Sequence, residues 1–436
     1  MKICSKKDIK IATGIMAASL LLGGCTARTE TSRSSGDTPL TDDPAVKAEI
    51  NFKDVAKAQY DQELMDAEYK RYCFDLMRQT IKDSAKDGNV MISPASVMMA
   101  LDMVAAGAKG DSLKQLTDLF AVDQGPLSQQ AYAAALMDKI NGAKDVEFSC
   151  ANAVWNNSTL LGDKVNKEYV EYIQETFLAE YKVTAFDTGT PAEINSWVNE
   201  HTDHKIDKII DQLDPLTVMV LVNAISFDAK WEEPYKESQI SEGTFRQADG
   251  SEKQADFLND KLKVYYESDK ATGFMKNYEG GEYAFLVILP KDDKISANEF
   301  MKNFSSEDYE SFIKSASSDY DVHTKMPEFK SDYDCLMNNT LKQLGVTDPF
   351  DKDKADFSGI AGKPTDIYIS RVIHKTHIEV DRKGTRADAA TAVTLRTKGV
   401  EFPDNVKYVN CDRPFAYAIV DVKTMSPVFV GTVNAL

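Results

Sequence analysis

Residues 217–227 read Thr-Val-Met-Val-Leu-Val-Asn-Ala-Ile-Ser-Phe, a continuous run rich in β-branched residues between Pro215 and Asp228. A short run that does not alternate predicts a strand covered on both faces. Such a strand requires a sheet with other elements packed above and below it. Asn223 lies inside the run. A buried amide left without hydrogen bonds costs roughly 1–3 kcal/mol, so Asn223 needs partners. Material for a large core is present, since 43% of the 436 residues are hydrophobic. Length alone favours two or three domains. The net charge of −18 gives no electrostatic support to nucleic-acid or phosphate binding.

A second stretch, Gly384 to Phe402, has the opposite pattern. Its odd positions, Thr385, Ala387, Ala389, Thr391, Val393, Leu395 and Thr397, are small, apolar or neutral. Its even positions hold Arg386, Asp388, Ala390, Ala392, Thr394, Arg396 and Lys398, and carry every charge up to Lys398. Period 2 predicts a half-buried strand. Four alanines among residues 387–392 keep it thin, so it fits equally as a loop or as a strand between two others.

Elsewhere the spacing predicts helices over 47–87, Ala95–Ala106, Glu168–Ala179, Ala192–Ile210, Asn298–Ser315 and Tyr333–Leu344. Short strands are expected at Ala151–Trp155, Tyr181–Phe186, through 243–289, at Val372–Asp381, and in the apolar runs near 415–420 and 428–433. Ser93-Pro94 predicts a helix start, with Ser93 as the cap and Pro94 at the first helical position.

The first 24 residues are expected to be a signal peptide. Lys2, Lys6, Lys7 and Lys10 precede an apolar run from Ile11 to Leu22, which ends in Leu-Gly-Gly-Cys25. That ending resembles a bacterial lipobox, which implies acylation of Cys25 and a firm anchor at a membrane of the cell envelope, the outer membrane or cell surface being expected. Losing residues 1–24 removes four lysines and one aspartate and leaves −21. Residues 25–60 are expected to be the acylated Cys and a flexible tether, with the folded domain at 61–436. Cys73, Cys150, Cys335 and Cys411 remain without a Cys-x-x-Cys pair, and free buried thiols are expected.

Several motifs in order resemble the serpins, inhibitors that act as suicide substrates. Gly384-Thr385-Arg386-Ala387-Asp388-Ala389-Ala390-Thr391 is similar to the family hinge. Asn89-Val90-Met91-Ile92-Ser93-Pro94-Ala95-Ser96 through Gly107-Ala108-Lys109-Gly110 is similar to the family segment beneath the point where the central sheet opens. Leu221-Val222-Asn223-Ala224-Ile225 with Trp231 and Pro234-Tyr235, and Asp412-Arg413-Pro414-Phe415, resemble further family segments. The resemblance runs from about residue 65 to the C-terminus. It implies one α+β domain, the serpin fold, with three β-sheets, about eight or nine helices and an exposed reactive loop. It also implies that Ser93, Ser96, Asn223, His374 and Trp231 form the sheet-opening cluster, with Asn223 joined to His374. One departure stands out. The family has an acid two residues before the hinge glycine, where this chain has Arg382, so an ion pair there is expected to be lost or reversed.

Enzyme motifs are absent: there is no Gly-x-Ser-x-Gly, His-Glu-x-x-His or phosphate loop. His201 and His204 complete no metal-ligand spacing with Glu200 or Asp207. Neither metal nor cofactor is expected, and neither is nucleic acid. The reading is therefore a monomeric protease inhibitor rather than an enzyme. Its inward hinge positions lack charge and proline, which favours loop insertion over the non-inhibitory, binding or substrate-like alternative. Counting along the hinge as family inhibitors do places the reactive bond at Lys398-Gly399. Arg396, Thr397, Val400 and Phe402 are alternative cut sites. A lysine before the bond suits trypsin-like proteases; a broader range that includes cysteine proteases is the wider expectation.

Overall fold

The computed structural model describes residues 49–84, 88–120, 124–161, 164–202, 204–214, 217–385 and 405–436. In chain order the elements begin with α1 (Phe52–Val55), α2 (Gln62–Asp83), β1 (Val90–Ile92), α3 (Pro94–Ala105), α4 (Gly110–Phe120) and α5 (Pro126–Gly142). There follow β2 (Val146–Asn157), α6 (Lys167–Phe177), β3 (Glu180–Thr184), α7 (Thr190–His201), β4 (Met219–Lys230), β5 (Ile240–Arg246), β6 (Glu252–Leu262), β7 (Tyr265–Glu267), β8 (Ala271–Asn277) and β9 (Tyr283–Pro290). The last third holds α8 (Ala297–Lys302), α9 (Ser306–Lys314), β10 (Asp321–Pro327), β11 (Phe329–Leu336), α10 (Asn338–Gln343), β12 (Ile373–Val380), β13 (Gly384–Thr385), β14 (Val406–Asn410), β15 (Phe415–Asp421) and β16 (Pro427–Val433).

Three sheets result, as expected. One six-stranded sheet has the order β11-β12-β13-β4-β2-β3, and a second has β1-β16-β15-β9-β8-β7. A four-stranded sheet runs β14-β10-β6-β5. β4 is buried on two sides. Leu221, Ile225 and Phe227 join the main core, while Val220 and Val222 pack with Trp155, Trp197 and Ile194 in a second apolar layer under α7. This two-sided burial is why the run carries no polar stripe. All described residues fall in one compact unit, so the multi-domain expectation from length does not hold.

Several expectations need correction. Ten α-helices lie among the described residues, in line with the expected eight or nine or so; the boundaries differ more, since α1, α8 and α10 are too short to leave a periodic signal. The folded part begins before residue 61. Ile50 and Val55 are buried, Asn51 caps α1, and Phe52 stacks on Tyr172 at 4.6 Å. Those three apolar residues are too widely spaced to show as a pattern. The single helix expected over 47–87 is therefore two.

Ala192–Ile210 is helical only to His201. Asn195 then turns the following chain back, accepting from the Ile209 and Ile210 N–H groups and donating to the Ile210 carbonyl. Residues 298–315 split at Ser305, where Ser305 and Asp308 cap α9 reciprocally. Tyr333–Leu336 belongs to β11 rather than to a helix. The alternation of Asp332 and Asp334 with Ser331, Tyr333 and Cys335 is a strand period, and pairing with β12 overrides the helix propensity.

Candidate functional site

The site is the seam in the first six-stranded sheet, where β13 lies between β12 and β4. A tight turn at Asp381–Lys383 makes β12 and β13 a hairpin. Asp381 Oδ1 accepts from the Lys383 and Gly384 N–H groups at 2.7 and 3.1 Å. Thr385 then pairs with Val380 on one side and Ala229 on the other, antiparallel to both. Gly384 is required here, because a Cβ would come within 2.1 Å of the Ala229 carbonyl oxygen. β12 and β4 therefore run parallel. Besides one bridge between Leu221 and Val372, no ladder joins them directly among the described residues. The result is a short antiparallel wedge at one end of a seam, or closed slot, between two parallel strands that lie against each other beyond it.

The mouth of the slot is held by aromatic and polar contacts. Thr385 is buried, and its hydroxyl lies 2.6 Å from Tyr278 Oη. Trp231 stacks on Tyr278 at 4.7 Å, and its Nε1 donates to the Asp381 carbonyl at 2.8 Å. Backbone bonds from Trp231 to Lys383 and from Tyr235 to Arg382 tie the turn to the end of β4. Beside them Lys276 pairs with Asp260 at 2.6 Å and sits over the Tyr235 ring.

Arg382 is not left without a partner. Its guanidinium meets Glu328 and Glu237, each at 3.0 Å, and Asp256 at 3.4 Å. The polarity of the family pair is reversed rather than lost. Bonding to Glu328, and next to Glu237, raises the guanidinium pKa further above its ordinary value. Glu237 is largely exposed, so each contact is worth a fraction of a kcal/mol, ~0.2–1; fixing the turn matters more than the sum.

The opposite end of the slot is buried. His374 Nε2 accepts from the Ser93 N–H at 3.0 Å, so the neutral ring carries its proton on Nδ1. Burial pushes the His374 pKa down to about 4. Ser93 Oγ donates to the Val428 carbonyl at 2.9 Å and accepts from the Ser96 N–H at 3.3 Å as the cap of α3. Thr376 donates to the Met91 carbonyl. The described backbone places Asn223 on β4 opposite Asn152 of β2.

The structure thus joins Ser93, Ser96 and His374 but separates Trp231 from them. Trp231 belongs to the mouth, about 20 Å along β12 at ~3.3 Å per residue. His377 points away from His374 and pairs with Asp332 at 2.7 Å. His201 ends α7, stacked on Trp197 and bonded to Glu180, whereas His204 lies beyond the helix and bonds Asn199. Cys73, Cys335 and Cys411 are free thiols. Sequence reasoning missed Tyr278 and the three acids around Arg382. Cys25, the hinge from Arg386 to Thr391, and Arg396, Thr397, Lys398, Gly399, Val400 and Phe402 lie outside the described residues.

Comparison with known proteins agrees with this geometry. The family model described as Serpin (serine protease inhibitor) matches residues 67–436. Iripin-5 of Ixodes ricinus is 31% identical over 88% of this chain and 97% of its own length. Mouse leukocyte elastase inhibitor A is 30% identical over 81% and 95%. The crystal structure of the thermophilic serpin tengpin in its native state superposes with a TM-score of 0.79, at 35% identity over 87% of this chain and 96% of that one.

Proposed function

The chain belongs to the serpin family, and from that premise we propose that it inhibits serine proteases, trypsin-like ones first, as a suicide substrate. The observation that carries the reading is the wedge: Gly384-Thr385 already occupies the end of a slot whose two walls run parallel. Two parallel walls accept one antiparallel strand with ladders on both sides, and loop insertion is a known mode of strand addition. In this reading the protease serine attacks the Lys398 carbonyl. The bond to Gly399 breaks, the new amine leaves with a proton, and an ester joins Lys398 to the enzyme. Insertion of the freed hinge then carries the enzyme away before water cleaves the ester. The Lys398 ammonium would sit in an acid-floored specificity pocket.

The same reading places the molecule on a membrane through lipidated Cys25, with the residues before Ile50 as the spacer. Among the described residues no helix is long and apolar enough to cross a membrane.

Mixing with trypsin tests the inhibition. A covalent adduct that survives boiling in detergent is expected, and it should fall by about a hundredfold in formation rate in Lys398→Ala. Mass analysis of the released C-terminal fragment identifies the cut bond. Complete cleavage with no adduct would overturn inhibition in favour of substrate-like behaviour.

A further inference from the structure

The wedge sets a register that the slot walls keep. Thr385 stands opposite Val380 and Ala229, and the far bridge between Val372 and Leu221 preserves the same offset between β12 and β4. A strand continuing antiparallel from Thr385 would place residue 386 between Glu379 and Asp228, and residue 388 between His377 and Ser226. Residue 390 would lie between Lys375 and Ala224, and residue 392 between Ile373 and Val222. Residue 393 would reach the bridge. Val380, Thr385 and Ala229 are buried on the main-core side. Alternation along a strand puts the even-numbered residues on the opposite face, with Glu379, Asp228, His377 and Ser226.

That face has a graded chemistry. At the mouth, two carboxylates of like sign, Asp228 and Glu379, stand in register across the seam. Asp228 pairs with Lys205 at 3.3 Å, and Glu379 is held from its far side by Lys330 of β11 at 2.7 Å. A carboxylate accepts from several donors, so these lysines do not exclude another cation. One step deeper, Ser226 is 1% exposed and its Oγ has no hydrogen-bond partner among the described residues. Deeper still, Val222 and Val220 lie in the apolar layer under α7, with Ile373 packed against it.

The residues that follow Thr385 are Arg386-Ala387-Asp388-Ala389-Ala390-Thr391-Ala392-Val393. Their even members are a cation, an anion and two alanines. We propose that the outer face of the slot is a docking site matched to residues 386–393 of this chain, with Arg386 bound between Asp228 and Glu379 and Asp388 accepting from the Ser226 hydroxyl. Ala390 and Ala392 leave room beneath α7. Opposite charges directly across a sheet stabilise it and like charges destabilise it. The two acids stand in register across the closed seam, each with a lysine of its own, and gain a shared cation only when the strands part and the seam is filled, so the pairing favours the inserted state selectively. This inference rests on the insertion reading above.

The test compares melting of intact and loop-cleaved protein, in guanidinium where the cleaved form is too stable to melt in buffer. Arg386→Glu should lower the midpoint of the cleaved form by about 2 °C and leave that of the intact form unchanged. Arg386→Gln should give about half that shift. Adding Glu379→Lys to Arg386→Glu should restore most of the loss. A cleaved Arg386→Glu protein that melts with wild type, or a double variant that shows no recovery, would overturn the pairing. Wild-type protein that gains no thermal resistance on cleavage would instead overturn insertion itself, and the pairing with it. The two failures thus appear in different samples.

Discussion

The two ends of the seam are built from different physics. At the mouth the wedge is held by a stacked indole, a few backbone bonds and a guanidinium among three partly exposed acids. At the far end Ser93, His374 and Thr376 are fully desolvated and bonded to backbone groups of other elements. Exposed ion pairs contribute little and are screened by salt, whereas a buried polar group left unpaired costs its whole desolvation. The difference explains a direction. In the proposed insertion, a strand entering from the hinge meets the weaker contacts first and the costly ones last.

The largest expected effect lies at the mouth. Thr385→Arg would drive a cation into the space that Thr385 and Tyr278 fill, at a cost of several kcal/mol. We expect cleavage by trypsin to continue and adduct to vanish on a denaturing gel; adduct formation at the wild-type level would show that the wedge does not control entry. The far end comes next. His374 titrates at about 4 in the fold and near 6.5 when unfolded, so the unfolded state binds more protons between those values. Its contribution is complete above pH 6.5 and is lost as pH falls toward 4, about 3 kcal/mol in all. Urea midpoints from pH 7.5 to 4 should show this slope in wild type, and His374→Gln should lose most of it.

Arg382→Glu is the next smaller perturbation, about 1–2 kcal/mol, because it sets a fourth carboxylate against Glu328, Glu237 and Asp256. Glu328→Lys in the same chain should recover part of it, and high salt should narrow the gap. Trp231→Phe is the smallest. It keeps the stack on Tyr278 but leaves the Asp381 carbonyl unpaired, about 1 kcal/mol by thermal melting. If Trp231→Phe exceeded the loss from the pH change at His374, the contrast between a weak mouth and a strong far end would be wrong.

Much of this is legible in the sequence alone. The residue 217–227 run announced a doubly covered strand because burial on both faces removes the polar stripe. Ser93-Pro94 announced a helix start because the cap needs a hydroxyl and the first turn tolerates proline. Tyr333–Leu336 was misread because helix propensity is local, while its strand pairing depends on β12, forty residues away in the chain. The partners of Arg382 were invisible for a similar reason. Glu237, Asp256 and Glu328 come from three separate segments, and only folding brings them to one guanidinium.

By itself the sequence determined the family, with the three-sheet architecture as what that resemblance implies, and the charge-free alternation of positions 385 to 397, because local motifs and alternation are properties of neighbouring residues. Only the tertiary structure decided that the hinge begins inside the sheet at Gly384-Thr385, that Trp231 and His374 stand at opposite ends of one seam, and that two acids face each other across it. Those facts depend on the register between strands about 150 residues apart, and register is set by packing across the whole core rather than by any segment alone.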